Sequence, residues 1–273
     1  MKPTAPVPDA ALTLDLVIAC ASNSDQVLAA NLGASPPVQA GVPLHVERDA
    51  PSAALAYNRA LDATKAEIVV FAHHDVYLPK GWEALLAQRL AELTAQDPDW
   101  ALAGAYGVAA DHRQFGPVWT SSLGQIIGRV PMQPEAVNSF DEMLIVLRRS
   151  SGLRFDDAQP GWHMYGTDII CRARAMGKRA YALGLPCVHN DRFHGALGAD
   201  FTQSYRWMRA RWPQYLPLQT PVTRISRSGL HLLRERWAMR SSLTLRAQDA
   251  IDTGMPAPEL AARCGWHDLT PRG

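Results

Sequence analysis

The residues best suited by type and spacing to chemistry are His73-His74-Asp75. A carboxylate is a hard oxygen donor and an imidazole a nitrogen donor, so such a trio can hold a divalent cation. It follows Ile68-Val69-Val70-Phe71-Ala72, an apolar and mostly β-branched or aromatic run that reads as a strand buried on both faces. Pro79 and Gly81 then forbid simple continuation. Ligands in open α/β sheets bind at the carboxyl ends of the strands, where this trio stands. Polar residues also gather at a strand end because the chain surfaces there, and for any one of the three alone that reading stays open.

The elements that must position these residues alternate. Leu12 to Ala19 reads as a first strand, and Ser22-Asn23-Ser24-Asp25 as a turn with several N-caps before a helix to about Asn31. Leu44-His45-Val46 is a short second strand. Pro51-Ser52 opens a helix with Ala53, Ala56, Tyr57, Ala60 and Leu61 on one face. A helix through Leu85, Leu86, Leu90 and Leu93 follows Gly81, and Trp100 to Val108 reads as a strand. This order argues for a parallel or mostly parallel sheet with helices on its faces. Residues 111–160 are rich in Gly, Pro, Ser and Trp, with short strands expected at Val118-Trp119, Gln125 to Val130 and Met143 to Leu147. A helix is expected from Tyr165 to Met176 with Gly177 as its cap, then extended pieces at Arg179 to Leu183 and Cys187-Val188.

The 273 residues can bury a sizeable core, and 47% hydrophobic content marks an ordinary globular chain. A net charge of +1 points to no class of partner, and no motif supports nucleic-acid binding. Cys20, Cys171, Cys187 and Cys264 are far apart with no C-x-x-C, which reads as buried thiols in a reducing, cytoplasmic compartment. No stretch approaches the roughly 18 to 20 apolar residues of a membrane span.

Three stretches carry a family resemblance. Pro51 to Ala60 leads into Glu67 to Val76 with its histidine-aspartate strand end. Gly161-Trp162-His163-Met164-Tyr165-Gly166-Thr167-Asp168 precedes the last sheet-flanking helix. Arg174-Ala175-Met176-Gly177-Lys178-Arg179 is followed by Val188-His189. In that order, from about Leu14 to Asn190, the chain resembles a family 2-type glycosyltransferase of the GT-A fold. More narrowly it resembles the glycosyltransferase-like group named after a streptomycin-biosynthesis protein. The resemblance implies an α/β, Rossmann-like, mostly parallel sheet flanked by helices over residues 12–198, after a loose lead-in at 1–11. It implies a hexosyl or related transferase that takes UDP- or another nucleoside-diphosphate sugar to a glycan, lipid-linked or small-molecule acceptor, with inversion and assisted by Mn²⁺ or Mg²⁺.

By that resemblance Asp75 is a metal ligand and His189 a second one. The family's Asp-x-Asp reads His73-His74-Asp75 here, so the first carboxylate is missing, and His73 and His74 are grouped with the donor contacts. Ser22 and Asn23, with Arg48 and Asp49 after the second strand, are expected along the nucleotide. Trp162 would stack on a sugar or fill core, and Asp141 or Glu142 would contact the donor. The family's base position falls on Gly166, so the base is expected at Asp168, or else at His163 or Asp157. Without a base the domain would be an inactive nucleotide-binding or interaction module. A metal-dependent phosphoesterase would also use His and Asp at strand ends.

Residues 199–273 form a helical extension with helices expected at Phe201–Trp212, Ile225–Leu245 and Pro258–Arg263. It is basic, with Arg206, Arg209, Arg211, Arg224, Arg227, Arg234, Arg236, Arg240 and Arg246, and Trp207, Trp212 and Trp237 lie among them. Three readings stay open: peripheral contact with an anionic membrane, a grip on an anionic acceptor, or packed helices with solvated arginines.

Overall fold

A computed structural model describes residues 14–192, 197–249 and 254–271; the lead-in expected at 1–11 lies outside them, as does the side chain of Arg246. The main sheet is built from β1 (Leu16–Ala21), β2 (Leu44–Glu47), β3 (Ile68–Ala72), β4 (Leu102–Gly104), β5 (Leu144–Arg148) and β6 (Ala180–Ala182), with Glu135–Ala136 on one edge. From that edge the order is 135–136, β6, β4, β5, β3, β1, β2. β1, β2, β3, β4 and β6 point one way, and β5 and the edge strand run against them. The chain is therefore a mixed α/β fold with a mainly parallel central sheet flanked by helices, as expected.

The sheet is buried on both sides, and period-two alternation sorts its residues. Ile68, Val70 and Ala72 of β3 join Ile18, Val146, Trp82, Leu86 and Leu90 on one face. Val69 and Phe71 join Tyr57, Leu61, Ile145, Ile169 and Ile170 on the other. The first face is covered by α3 (Trp82–Gln96), the second by α2 (Ala53–Ala63) and α4 (Tyr165–Ala175). The short α1 (Asp25–Ala30) and α2 start where the sequence puts serine caps: the Ser24 hydroxyl accepts from Val27 N and the Ser52 hydroxyl from Leu55 N, each at 3.3 Å. Gly177 follows α4 at φ 74°, a left-handed conformation that glycine adopts without a Cβ penalty.

Two expected elements divide. The 100–108 strand leaves the main sheet after Gly104, where a Cβ would lie 2.8 Å from the Phe140 ring. Gly107–Val108 instead pairs with 114–115 and 139–140 in a small sheet of its own. The 225–245 helix is interrupted at its start: Arg224–Ile225 pairs with Leu218–Gln219, Gly229 turns the chain at φ 71°, and α6 (Leu230–Ser241) and α7 (Leu243–Asp249) follow. Ile225 is fully buried against the last part of α5 (Ala199–Arg211), which holds it in the pairing. α8 (Ala257–Arg263) packs its Leu260 and Ala261 against Tyr77 and Val188. Cys20, Cys171 and Cys187 are buried free thiols, and Cys264 is half-buried.

Candidate functional site

After Ala72 the chain turns tightly, with Val76 N donating to His73 O at 3.2 Å, and Val76–Tyr77 continues as a short strand in a second sheet. Cys187–His189 pairs antiparallel with it, placing His189 opposite Val76. That one pairing brings together residues more than a hundred positions apart. His189 Nε2 lies 3.4 Å and His73 Nδ1 4.0 Å from Asp75 Oδ1, and one donor atom from each residue falls within 4.8 Å of the others. His73 therefore joins Asp75 and His189 in the candidate metal set.

The tautomer of His73 follows from its neighbours. The Tyr165 hydroxyl donates to the Glu142 carbonyl at 3.0 Å, so it accepts from His73 Nε2 at 2.8 Å. The proton is thus on Nε2, and the Nδ1 lone pair faces Asp75. Burial pushes His73 down to about 4, leaving it neutral at ordinary pH. Burial acts in the same direction on His189, but the Asp75 carboxylate outweighs it and lifts the imidazole to about 10. Burial alone would raise Asp75; the imidazoles of His189, His73 and His74 outweigh it and hold the carboxyl below its usual range. Asp75 Oδ1 is buried with no aligned hydrogen-bond donor among the described residues. A buried carboxylate oxygen between two imidazoles, His73 neutral and His189 able to ligate once its proton leaves, fits Mn²⁺ or Mg²⁺, and the nitrogen ligands favour Mn²⁺ of the two.

A cavity of about 420 Å³ opens beside His73 and Asp75; His189 stands behind them and does not line it. It is lined by eight residues singled out from the sequence, Ser22, Asn23, Asp49, His73, His74, Asp75, Trp162 and His163, together with Glu47 and Tyr57. His74 Nδ1 is 3.0 Å from Ser22 Oγ, which donates onward to Ser24 O. Arg48 is turned away from the cavity. Its guanidinium donates to Ser22 O and pairs with Asp25, tying the end of β1 to the end of β2. Trp162 is 42% exposed at the mouth, and His163 Nε2 meets Asp200 at 3.0 Å.

Asp168 does not face this cavity. It is fully buried on the side of α4 that carries Met164 and Cys171, and its Oδ1 accepts from Trp212 Nε1 at 2.6 Å. The sequence placed it correctly in the first turn of a helix, but the turn's rotation points it at α5 and not at the sheet's end. Burial raises its pKa to about 6. Asp157 accepts from Asn58 Nδ2 at 2.7 Å.

A different carboxylate fills the space at Gly166. A Cβ there would lie 3.3 Å from Glu142 Oε1 and 3.2 Å from Ile145 Cδ1. Glu142 is partly buried beside Asp141, and burial and that neighbour raise its pKa well above the usual carboxylate range. The Asp141 carboxylate accepts from Met143 N at 3.1 Å, and burial raises it too. Sequence reasoning missed Tyr165 as the orienting partner of His73, because nothing local marks a contact across 92 positions. It also missed Asn190 and Asp191. Asn190 is bonded to Asn31 and Ser121, and Asp191 to Thr120 and Ser122, fixing the chain just beyond His189.

No family model matches the chain. A curated protein described as ATP synthase subunits region ORF 6 from Fuscovulum blasticum is 29% identical over 172 residues, covering 57% of this chain and 66% of that protein, just under two thirds of its length. Among solved structures, the chain is similar to a mannosyltransferase from Pyrobaculum calidifontis in complex with GDP-Man and Mn²⁺, at 15% identity over 97% of this chain and 83% of that one, TM-score 0.43. It is similar to glucosyl-3-phosphoglycerate synthase from Mycobacterium tuberculosis with Mn²⁺, UDP and glucosyl-3-phosphoglycerate, at 14% identity over 76% and 82%, TM-score 0.41. S. aureus TarS 1–349 with UDP-GlcNAc is 12% identical over 88% and 74%, TM-score 0.43. These likenesses are loose and by themselves say nothing about substrate.

Proposed function

We propose that the chain is a GT-A glycosyltransferase of the family 2 type, in the streptomycin-biosynthesis-like group. It transfers a sugar from a nucleoside-diphosphate sugar to an acceptor hydroxyl. The observation that carries this reading is the His73, Asp75 and His189 trio, two of whose members line one cavity with Ser22, Asn23 and Asp49. A metal held by those three would neutralise the charge of a departing diphosphate.

The remaining roles fall to the chain's own groups. Ser22, Asn23 and Asp49 offer hydroxyl, amide and carboxylate contacts for a ribose and base, and Trp162 offers a flat apolar face for a sugar ring. Tyr165 holds His73 in the ligating tautomer. Glu142 is the proton acceptor for the acceptor hydroxyl in place of Asp168. Its pKa is raised by burial and by Asp141, which makes it a stronger base than a free carboxylate; it lines a small separate cavity with Met164 and Thr167 and not the large one, and its carboxylate stands beside Gly166, the base position that the family resemblance implies.

Incubation with a panel of nucleotide sugars and Mn²⁺ tests the reading. Released nucleoside diphosphate is expected. Released inorganic phosphate would mean an esterase, and thermal stabilisation without turnover a binding module. Nucleoside diphosphate should stabilise the protein more with Mn²⁺ than with EDTA, and Asp75→Asn should abolish that difference. A difference that persists in Asp75→Asn removes the metal assignment.

A further inference from the structure

α6 presents an unusual face for a helix that meets only water. Leu232 is buried among Tyr205, Trp212 and Ile225. On the other side, Leu230, Leu233 and Trp237, spaced three and four residues apart, are 65%, 62% and 72% exposed. Arg234 and Arg240 are exposed beside them. In α7, Leu243 and Leu245 are also exposed, 42% and 66%, but two residues apart they lie on opposite sides of that helix. A single exposed leucine needs no explanation, but a row of three large apolar side chains along one helix face does.

At the foot of α6 lies a shallow cavity of about 470 Å³, lined by Arg224, Ser226, Arg227, Ser228 and His231, with Leu216 and Pro217 as its apolar wall. No carboxylate lines it, and neither guanidinium has an acidic partner among the described residues. Guanidinium groups with hydroxyls between them are the donor set that recognises phosphate oxygens.

We propose that this side of the C-terminal segment docks on an anionic bilayer. Lipid phosphate headgroups enter the Arg224–Arg227 cavity, and Leu230, Leu233 and Trp237 sit in the boundary between headgroups and acyl chains. Charge selects this occupant: residues 224–249 contain six arginines and two carboxylates. A second copy of the chain, docked symmetrically on this face, would set one arginine-rich face against another and repel. An anionic bilayer matches the apolar row together with Arg234 and Arg240, which are exposed beside it. The contact is peripheral, since no helix among the described residues is long and apolar enough to cross a membrane.

Sedimentation of the full chain with phosphatidylglycerol or phosphatidylcholine vesicles tests this at low and high salt. Binding is expected to the anionic vesicles only, and to weaken with salt. Replacing both Arg224 and Arg227 by alanine should weaken it about thirtyfold. Leu233→Ser with Trp237→Ser should weaken it about tenfold or more, with an unchanged melting temperature because both side chains are exposed. Three results would overturn the proposal: no binding of the unaltered chain at low salt, self-association that Trp237→Ser abolishes, or release from vesicles by millimolar inorganic phosphate at constant ionic strength. The last would make the cavity a site for a free anion.

Discussion

Glu142 and Asp168 are carboxylates beside the start of one helix, and their neighbours give them different roles. One Asp168 oxygen is bonded to the Trp212 indole and the other has no partner among the described residues. Burial raises its pKa from 3.8 to about 6, so it binds a proton more tightly in the folded chain than in the unfolded one. The resulting stability is fully present below the unfolded value and is lost as the pH rises through the folded one, on the order of 3 kcal/mol in all. Asp168→Asn should flatten the stability profile between pH 3.8 and about 6, measured by urea unfolding, and leave turnover near wild type. Glu142→Gln should lower turnover by about 10² or more with donor affinity almost unchanged. In the unaltered protein, activity should rise with pH as Glu142 loses its proton, above the usual carboxylate range. Full turnover in Glu142→Gln, or a hundredfold loss in Asp168→Asn, would reverse the two assignments.

At the scale of elements, α4 and β5 decide where the carboxylate of Glu142 goes. Gly166 in the first turn of α4 leaves room for it, and Phe140 and Ile145 close the other sides. Gly166→Ala would gain about 1 kcal/mol of helix propensity and lose about 1–3 kcal/mol to crowding. Stability should therefore change by no more than about 2 kcal/mol. Turnover should fall further than that change explains, because the Glu142 carboxylate is, with the Ile145 methyl, one of the groups that must give way. Wild-type kinetics in Gly166→Ala would show that the carboxylate's position is not needed. The elements themselves were largely readable. Ser24 and Ser52 marked helix starts and Gly177 a helix end because caps are local backbone chemistry. The split of the 100–108 and 225–245 segments was not readable, because it is imposed by Phe140 across the sheet and by packing against α5.

In the molecule as a whole, the C-terminal segment is part of what holds the site in place. α8 lies on the short sheet that positions His189, with Leu260 fully buried against Tyr77 and Val188. Lys80 pairs with Asp268 at 2.8 Å and Lys80 O accepts from Leu269 N, so the chain's end is anchored beside α3. Leu260→Ala should cost about 2–5 kcal/mol, although it belongs to the extension and not to the cavity. It should also weaken the Mn²⁺-dependent stabilisation by nucleoside diphosphate, read by thermal shift, because Val188 neighbours His189. A loss of stability with full metal dependence would mean that the short sheet holds its shape without α8.

The sequence by itself determined the periodicity of the strands, the caps, and the arrival of His73, His74 and Asp75 at the end of a buried strand. All of these depend on residues near one another in the chain. Only the tertiary structure decided which groups meet. His189 reaches Asp75 through strand pairing, Tyr165 sets the tautomer of His73 from another element, and Glu142 stands at Gly166 while Asp168 turns to Trp212. A helix position fixes the angle of a side chain about its own axis, but what lies at that angle is set by how the helix rests on the sheet. That depends on the summed packing of many distant apolar residues, and no local stretch of sequence records it.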